Sequence, residues 1–147
     1  LALARANAAE HGVSGQIQFV ESDLYTQLDG EVYDLIVTNP PYVPISERAA
    51  LPAEYRAEPV AGMFSGDDGL DHAARILAGA EAHLDASGML VLEVGLGADE
   101  LQRQLPQVPF TWVELERGGE GVLLAEAALL REHRATIAAW QRERGRG

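Results

Sequence analysis

Hydrophobic residues recur along the chain at helical spacing or in short continuous runs, and the two patterns alternate. Helical spacing predicts helices over residues 1–11, 70–86 and 98–105 and a tail helix through residues 130–140. Apolar runs predict strands over residues 17–21, 34–38 and 89–94. Alternation over 110–116, followed by glycines at 118, 119 and 121 and an apolar run over 122–125, predicts an antiparallel hairpin with a glycine-rich turn. This order is typical of an α/β fold with helices on both faces of a mainly parallel sheet.

The strand over residues 34–38 shows where chemistry is expected. Its apolar residues are consecutive, which is typical of a strand buried on both faces of a parallel sheet. Ligands of such sheets bind beyond the carboxyl ends of the strands. The residues predicted at this edge are Asp23, Asn39 and Gly95.

Two stretches break the alternation. Residues 40–69 form a long irregular segment with five prolines, and a loop of this length in a compact domain is usually functional or mobile. The chain opens with Leu1 in a run of good helix formers that lacks a capping Ser, Thr or Asp. We therefore expect the sequence to start inside a helix, with a frayed terminal helix and a processed methionine as the alternative.

Composition narrows the class of protein. The 147 residues include 11 arginines, no lysine and 23 acidic residues, which gives a formal charge of −12. This balance argues against a general nucleic-acid binder, which would carry a basic surface. The absence of cysteine excludes disulfides, no apolar run approaches a membrane span, and the four histidines lack ligand-like spacing. We expect a soluble, cytoplasmic domain without a metal site.

The sequence Asn39-Pro40-Pro41-Tyr42 follows the predicted strand at its ligand edge. Pro40 favours an extended backbone at Asn39, and the two prolines fix their own φ angles and remove two backbone donors. The Asn39 side-chain oxygen and the Pro40 carbonyl can then accept both hydrogens of a planar NH₂ group, while Tyr42 offers a flat face beside it. A purely structural proline-rich turn is the alternative interpretation.

Such a clamp suits methylation of an amide nitrogen, whose lone pair is delocalised into the carbonyl. Acceptors that draw the two N–H bonds out of plane restore part of that lone pair for attack on a methyl sulfonium. The expected contribution of these residues is positioning and electrostatic preorganisation, without a general acid or base.

The segment from Asp34 to Val43 resembles motif IV of class I S-adenosylmethionine-dependent methyltransferases that act on exocyclic or amide nitrogen. Residues 51–59, 65–70 and 92–95 resemble the protein-glutamine branch of that family. Residues 109–112 and 118–122 look most like the enzymes that modify the third large-subunit ribosomal protein, with the release-factor enzymes as near relatives. The resemblance implies S-adenosylmethionine as cofactor and a ribosomal protein as substrate.

Two features of the family are absent from this sequence: the glycine-rich cofactor loop after the first strand and the acidic residue after the second. Gly95-Leu96-Gly97 does not replace the loop, because Glu100 stands where a third small residue is required. The resemblance therefore implies a truncated, Rossmann-like three-layer sandwich in which residues 1–147 are the carboxyl-terminal part of one catalytic domain. We expect the 147-residue chain by itself to bind the cofactor weakly and to transfer no methyl group.

The resemblance also assigns roles to single residues. Asn39, Pro40 and Tyr42 would be catalytic, and together with Pro41 and Glu58 they would bind the substrate. Asp23 and Leu24, with Asn39, would contact the cofactor; an Asx turn or helix cap is the alternative role for Asp23. Glu93 is a carboxylate within a predicted buried strand and therefore needs a partner, in either a structural or a substrate-facing role.

Three hypotheses follow for function. The first is a ribosomal-protein glutamine methyltransferase. The second is a release-factor glutamine methyltransferase or a nucleic-acid amino-methyltransferase, the latter disfavoured by the acidic charge. The third, from another class, is a non-catalytic interaction module.

Overall fold

A computed structural model describes residues 1–49, 51, 59, 62–116 and 119–145. Its helices are α1 (Ala2–Glu10), α2 (Asp71–Ala80), α3 (Ala98–Gln104) and α4 (Ala127–Arg144). Its strands are β1 (Tyr33–Thr38), β2 (Leu84–Glu93), β3 (Thr111–Val113) and β4 (Val122–Glu126). The order of helices and strands follows the prediction, with one exception described below.

The four strands form one open sheet in the order β1-β2-β4-β3. β1 pairs in parallel with β2, whereas β4 is antiparallel to both of its neighbours, β2 and β3. Three of the four strands therefore run in the same direction. The prediction of an α/β fold with a mainly parallel sheet and an antiparallel terminal hairpin is confirmed.

The core lies where α2 and α4 pack against each other and against β2. The apolar face of α2 is buried through Ala73, Ala74, Ile76, Leu77 and Ala80. The predicted seam of α4 is buried at Leu130, Ile137 and Trp140. Burial of these two amphipathic faces holds both helices on the sheet.

The strand predicted over residues 17–21 is wrong, because none of these residues lies in a strand. Ile17 and Val20 are exposed. The segment instead contacts α1, where the Arg5 guanidinium lies 4.9 Å from the centre of the Phe19 ring and donates a 3.4 Å hydrogen bond to the Phe19 carbonyl. A β-prone run needs a neighbouring strand to pair with, and the described residues provide none here.

The prediction that β1 is buried on both faces is also wrong. β1 is an edge strand of the described sheet, and Leu35 and Val37 are 54% and 67% exposed. Residues two apart in a strand share a face, so one face of β1 is uncovered, while Ile36 and Thr38 on the other face are half-buried.

The boundary between α2 and β2 lies earlier than predicted. The helix ends at Ala80 rather than near residue 86, and β2 begins at Leu84. Leu84 is buried and pairs with Tyr33, whereas the next pair along the ladder is Leu35 with Met89, so the register is irregular between them. The Asp85 carboxylate accepts hydrogen bonds from the Ser87 amide and hydroxyl and so stabilises this irregularity.

The structure divides into two compact units, Leu1–Glu31 and Val32–Gly147, which are described separately. The first contains α1 and the following turns, and the second contains the sheet and the other helices. Among the described residues, no helix is both long and apolar enough to cross a bilayer. The assignment of residues 1–147 to a single catalytic domain stays a prediction.

Candidate functional site

The sequence from Asn39 to Tyr42 lies immediately after the carboxyl end of β1. Pro40 is buried, Pro41 and Tyr42 are half-buried, and Asn39 is exposed. Among the described residues, the Asn39 side chain makes no hydrogen bond and the Pro40 carbonyl accepts none from a backbone amide. Both predicted acceptors are therefore available to a ligand.

The backbone that follows this sequence is held by a short parallel pairing with the segment before α2. The Val43 amide donates to the Met63 carbonyl at 2.9 Å, and the Ser65 amide donates to the Val43 carbonyl at 3.0 Å. The Ser65 hydroxyl in turn accepts a 2.8 Å hydrogen bond from the His72 amide in the first turn of α2. Ser65 thus satisfies one of the free backbone donors at the start of α2.

Tyr42 is brought against the carboxyl end of β2. Its hydroxyl donates a long, 3.5 Å hydrogen bond to the Glu93 Oε1 atom. Its ring packs over Gly95, which has a φ of +52° and where a Cβ atom would lie 2.6 Å from Tyr42 Cε2. Only glycine satisfies both conditions. The structure therefore gives Glu93 a partner, and that partner is itself a predicted site residue.

The β3–β4 hairpin contacts the backbone at the carboxyl end of β2 through Gly121, a residue of the predicted glycine-rich turn. The Gly121 carbonyl accepts a 2.8 Å hydrogen bond from the Val94 amide. Gly121 has a φ of +72°, and a Cβ atom there would lie 2.0 Å from the Gly95 carbonyl oxygen. The clustering of glycines in residues 118–121 was the only sequence signal for this close approach.

A charged cluster joins the end of α4 to the loop before α2. Arg144 donates to both oxygens of Asp68 and to Asp71 Oδ1, and Trp140 Nε1 donates to Gln104 Oε1 at 2.6 Å. Burial alone would raise the pKa of Asp68, but hydrogen bonds from Arg144, Gln104 and the Leu70 amide outweigh it and lower that pKa to about 2. Arg144 therefore continues the packed seam of α4 one turn beyond Trp140.

The expected cofactor residues Asp23 and Leu24 lie in the first unit, in a turn between α1 and β1. The Ser22 hydroxyl organises this turn, since it donates to the Leu24 carbonyl at 2.8 Å and accepts from the Gln27 amide at 3.0 Å. Asp23 is exposed, and Leu24 has a left-handed φ of 53°, which costs a residue with a Cβ atom about 1–2 kcal/mol.

The chemistry of these two residues fits part of S-adenosylmethionine. An exposed carboxylate can accept hydrogen bonds from an amino group of a base, and the partly exposed Leu24 side chain offers apolar contact. Glu58, expected to bind the substrate, lies outside the described residues. No group of three or more His, Asp or Glu residues in the described part of the chain could hold a metal ion.

Comparisons with known proteins find relatives over most of the chain. A model of the methyltransferase small domain matches residues 1–51. The chain is 46% identical over 137 residues to the ribosomal protein uL3 glutamine methyltransferase of Xanthomonas campestris, covering 93% of the chain and 44% of the relative. The protein of the same name from Francisella tularensis is 42% identical over 84% of the chain and 40% of its own length. That from Xylella fastidiosa is 46% identical over 87% of the chain and 41% of its own length. No solved structure matches.

The chain spans about two fifths of the length of the curated relatives that it matches. These relatives share a single name, and the described sheet is consistent with a class I methyltransferase fold. The resemblance predicted from the sequence is thus confirmed: over most of its length the chain is homologous to part of the ribosomal protein uL3 glutamine methyltransferases.

Proposed function

We propose that this protein methylates the side-chain amide nitrogen of a glutamine in the large-subunit ribosomal protein uL3, with S-adenosylmethionine as methyl donor. The names of the relatives support the substrate and the modified residue. One observation carries the proposal: Asn39 and the Pro40 carbonyl keep their acceptors unpaired among the described residues, directly after a strand and beside a fixed tyrosine ring. A ribosomal-protein substrate would place the reaction in the cytoplasm.

The two acceptors would bind the two hydrogens of the glutamine amide. Because an amide NH₂ is planar, two fixed acceptors define both its position and the direction of its nitrogen lone pair. Pro40 and Pro41 lack N–H groups, so the turn offers no competing donor to the glutamine at these positions. The gain is in positioning, since a prearranged reactant avoids the entropic cost of alignment.

Tyr42 would cover one face of the amide. Its ring rests on the Gly95 backbone, and its hydroxyl is oriented by Glu93, so the ring requires little rearrangement when substrate binds. Glu93 acts in this proposal through Tyr42 and is a positioning residue.

Asp23 and Leu24 of the first unit would hold part of the cofactor. When bound, S-adenosylmethionine supplies an electrophilic methyl group on a sulfonium. The role of this chain is to present a correctly oriented amide nitrogen to that group and to exclude water around it.

The test is substitution of Asn39 by alanine in the protein encoded by the longest reading frame that contains this sequence. Loss of one preorganised contact at the reacting group costs about 10²–10³-fold in turnover. We expect that loss in kcat on unmodified uL3, measured by transfer of labelled methyl groups, with a much smaller change in cofactor affinity. Asn7→Ala on the exposed face of α1 is the matched control and should leave kcat unchanged.

Turnover of Asn39→Ala within threefold of wild type would remove the side chain from the mechanism. If the wild-type protein transfers methyl groups to uL3 but the modified residue is not a glutamine, the proposed reaction is wrong even though the site is active. Mass spectrometry of peptides from the methylated protein identifies the residue.

A further inference from the structure

An open groove of about 710 Å³ lies between α3 and the β3–β4 hairpin. This volume is in the range of functional binding sites. Residues of α3 form one wall and residues of the hairpin form the other; those used below are Asp99, Gln102, Trp112, Glu114, Leu115 and Glu120. We call this feature the hairpin groove.

The rim of the hairpin groove is acidic. Asp99, Glu114 and Glu120 are exposed, and no ion pair or side-chain hydrogen bond neutralises them among the described residues. By contrast, the Glu100 carboxylate on α3 forms an ion pair with Arg103 at 2.5 Å. No arginine lines the described part of the groove, so its field favours a cation.

The groove also contains apolar surface that is held in place. The Trp112 Nε1 atom donates to Gln102 Oε1 at 3.2 Å, and the Trp112 ring packs edge-on against Phe110 with a centroid distance of 6.4 Å. Leu115 is 54% exposed. A fixed aromatic ring and an exposed leucine between unpaired carboxylates suit the aliphatic stems and charged ends of lysine or arginine side chains.

A chain of contacts links the groove to the candidate site. Gly121 lines one end of the groove and lies against the backbone of Gly95. Gly95 in turn lies against the ring of Tyr42. The groove therefore neighbours, through these two glycines, the ring beside which the glutamine would be held.

We propose that the hairpin groove docks a lysine- or arginine-rich segment of the ribosomal-protein substrate, next to the glutamine to be methylated. This inference rests on the proposed function. A protein that binds ribosomal RNA needs cationic side chains to neutralise phosphates, and this chain has a formal charge of −12. The groove thus supplies substrate specificity and electrostatic steering, while the clamp at Asn39 orients the reacting group.

The experiment neutralises the groove with the isosteric variant Asp99→Asn/Glu114→Gln/Glu120→Gln in the protein encoded by the longest reading frame. The matched control, Glu10→Gln/Glu132→Gln/Glu143→Gln, removes the same charge from exposed positions outside the groove. All six side chains are exposed, so both variants should keep the wild-type melting temperature.

We expect the groove variant to raise KM for unmodified uL3 about tenfold, since three exposed charge pairs each contribute a few-fold in affinity. Its kcat at saturating substrate should be unchanged, and KM should depend less on salt concentration than in wild type. A glutamine peptide without lysine or arginine should be methylated equally by wild type and variant. The control variant should match wild type in each assay.

Equal increases in KM for the groove and control variants, or no increase for either, would overturn the inference while the proposed methylation stands. Binding of uL3 is measured separately by fluorescence anisotropy with labelled uL3 and without methyl donor. If uL3 binds through the groove but no methyl group is transferred, the docking surface is supported and the proposed activity is wrong. Tighter binding of RNA than of uL3 would also overturn the inference.

Discussion

Arg144, the last residue of α4, is expected to hold the end of this helix to the loop before α2. Its side chain is only 14% exposed and donates to Asp68, to Asp71 at 2.8 Å and to Gln104 at 3.0 Å. Its guanidinium also lies 5.3 Å from the centre of the Trp140 ring. Arg144→Ala removes all of these contacts and leaves the Asp68 and Asp71 carboxylates without this arginine, while Asp68 keeps its hydrogen bonds from Gln104 and the Leu70 amide.

The expected cost lies between two limits. Exposed ion pairs contribute about 0.2–1 kcal/mol, whereas removing one partner of a buried pair costs about 3–5 kcal/mol. Asp68 and Asp71 are 30% and 48% exposed, so solvent screens part of the interaction. We therefore expect Arg144→Ala to lower the free energy of unfolding by about 2 kcal/mol, or the melting temperature by about 4–8 °C in a domain of this size.

The pH dependence of this difference has a defined sign. The pKa of Asp68 is lowered from 3.8 to about 2 in the folded protein, so its ionisation contributes stability that is fully present above pH 3.8 and is lost as the pH falls through about 2. Without Arg144, the largest of the interactions that lower the pKa of Asp68 is lost. The stability difference between wild type and Arg144→Ala should therefore be constant from pH 7 to about pH 4 and narrow below it.

Urea unfolding followed by far-UV circular dichroism measures this difference, since tryptophan fluorescence would be disturbed by the neighbouring substitution. Arg142→Ala is the matched control, because Arg142 is an exposed arginine in the same helical turn. If Arg144→Ala destabilises the protein no more than Arg142→Ala, or if the difference does not narrow in acid, the charged cluster is not a stabilising contact.

Two further substitutions test the fold. Ser65→Ala should cost about 1–2 kcal/mol in urea unfolding, because the Ser65 hydroxyl is buried and serves the His72 amide at the start of α2, and a loss below 0.5 kcal/mol would contradict that role. Val37→Thr should change stability by no more than about 0.5 kcal/mol, because Val37 is 67% exposed, whereas Leu92→Ala in the buried centre of β2 should cost about 2–5 kcal/mol. A large loss for Val37→Thr would show that this face of β1 is covered in solution.

The sequence by itself determined the elements whose residues interact locally. Three patterns depend on neighbours only a few positions apart: the period of apolar residues in α2 and α4, the alternation in the first strand of the β3–β4 hairpin, and the proline at position 106 that follows α3. It also located the candidate site, because Asn39, Pro40 and Tyr42 form one short sequence at the end of a strand. The homology reported above extends over the same motifs.

Tertiary structure decided what depends on partners distant in sequence. Residues 17–21 have strand-forming side chains but no neighbouring strand among the described residues, and β1 has one exposed face because it is the edge of the described sheet. Gly121 lies against Gly95, and Arg144 binds Asp68, which is 76 residues away in the sequence. No local sequence pattern relates the two members of either pair. Packing of α4 across α2 and the position of the terminal hairpin determine these contacts.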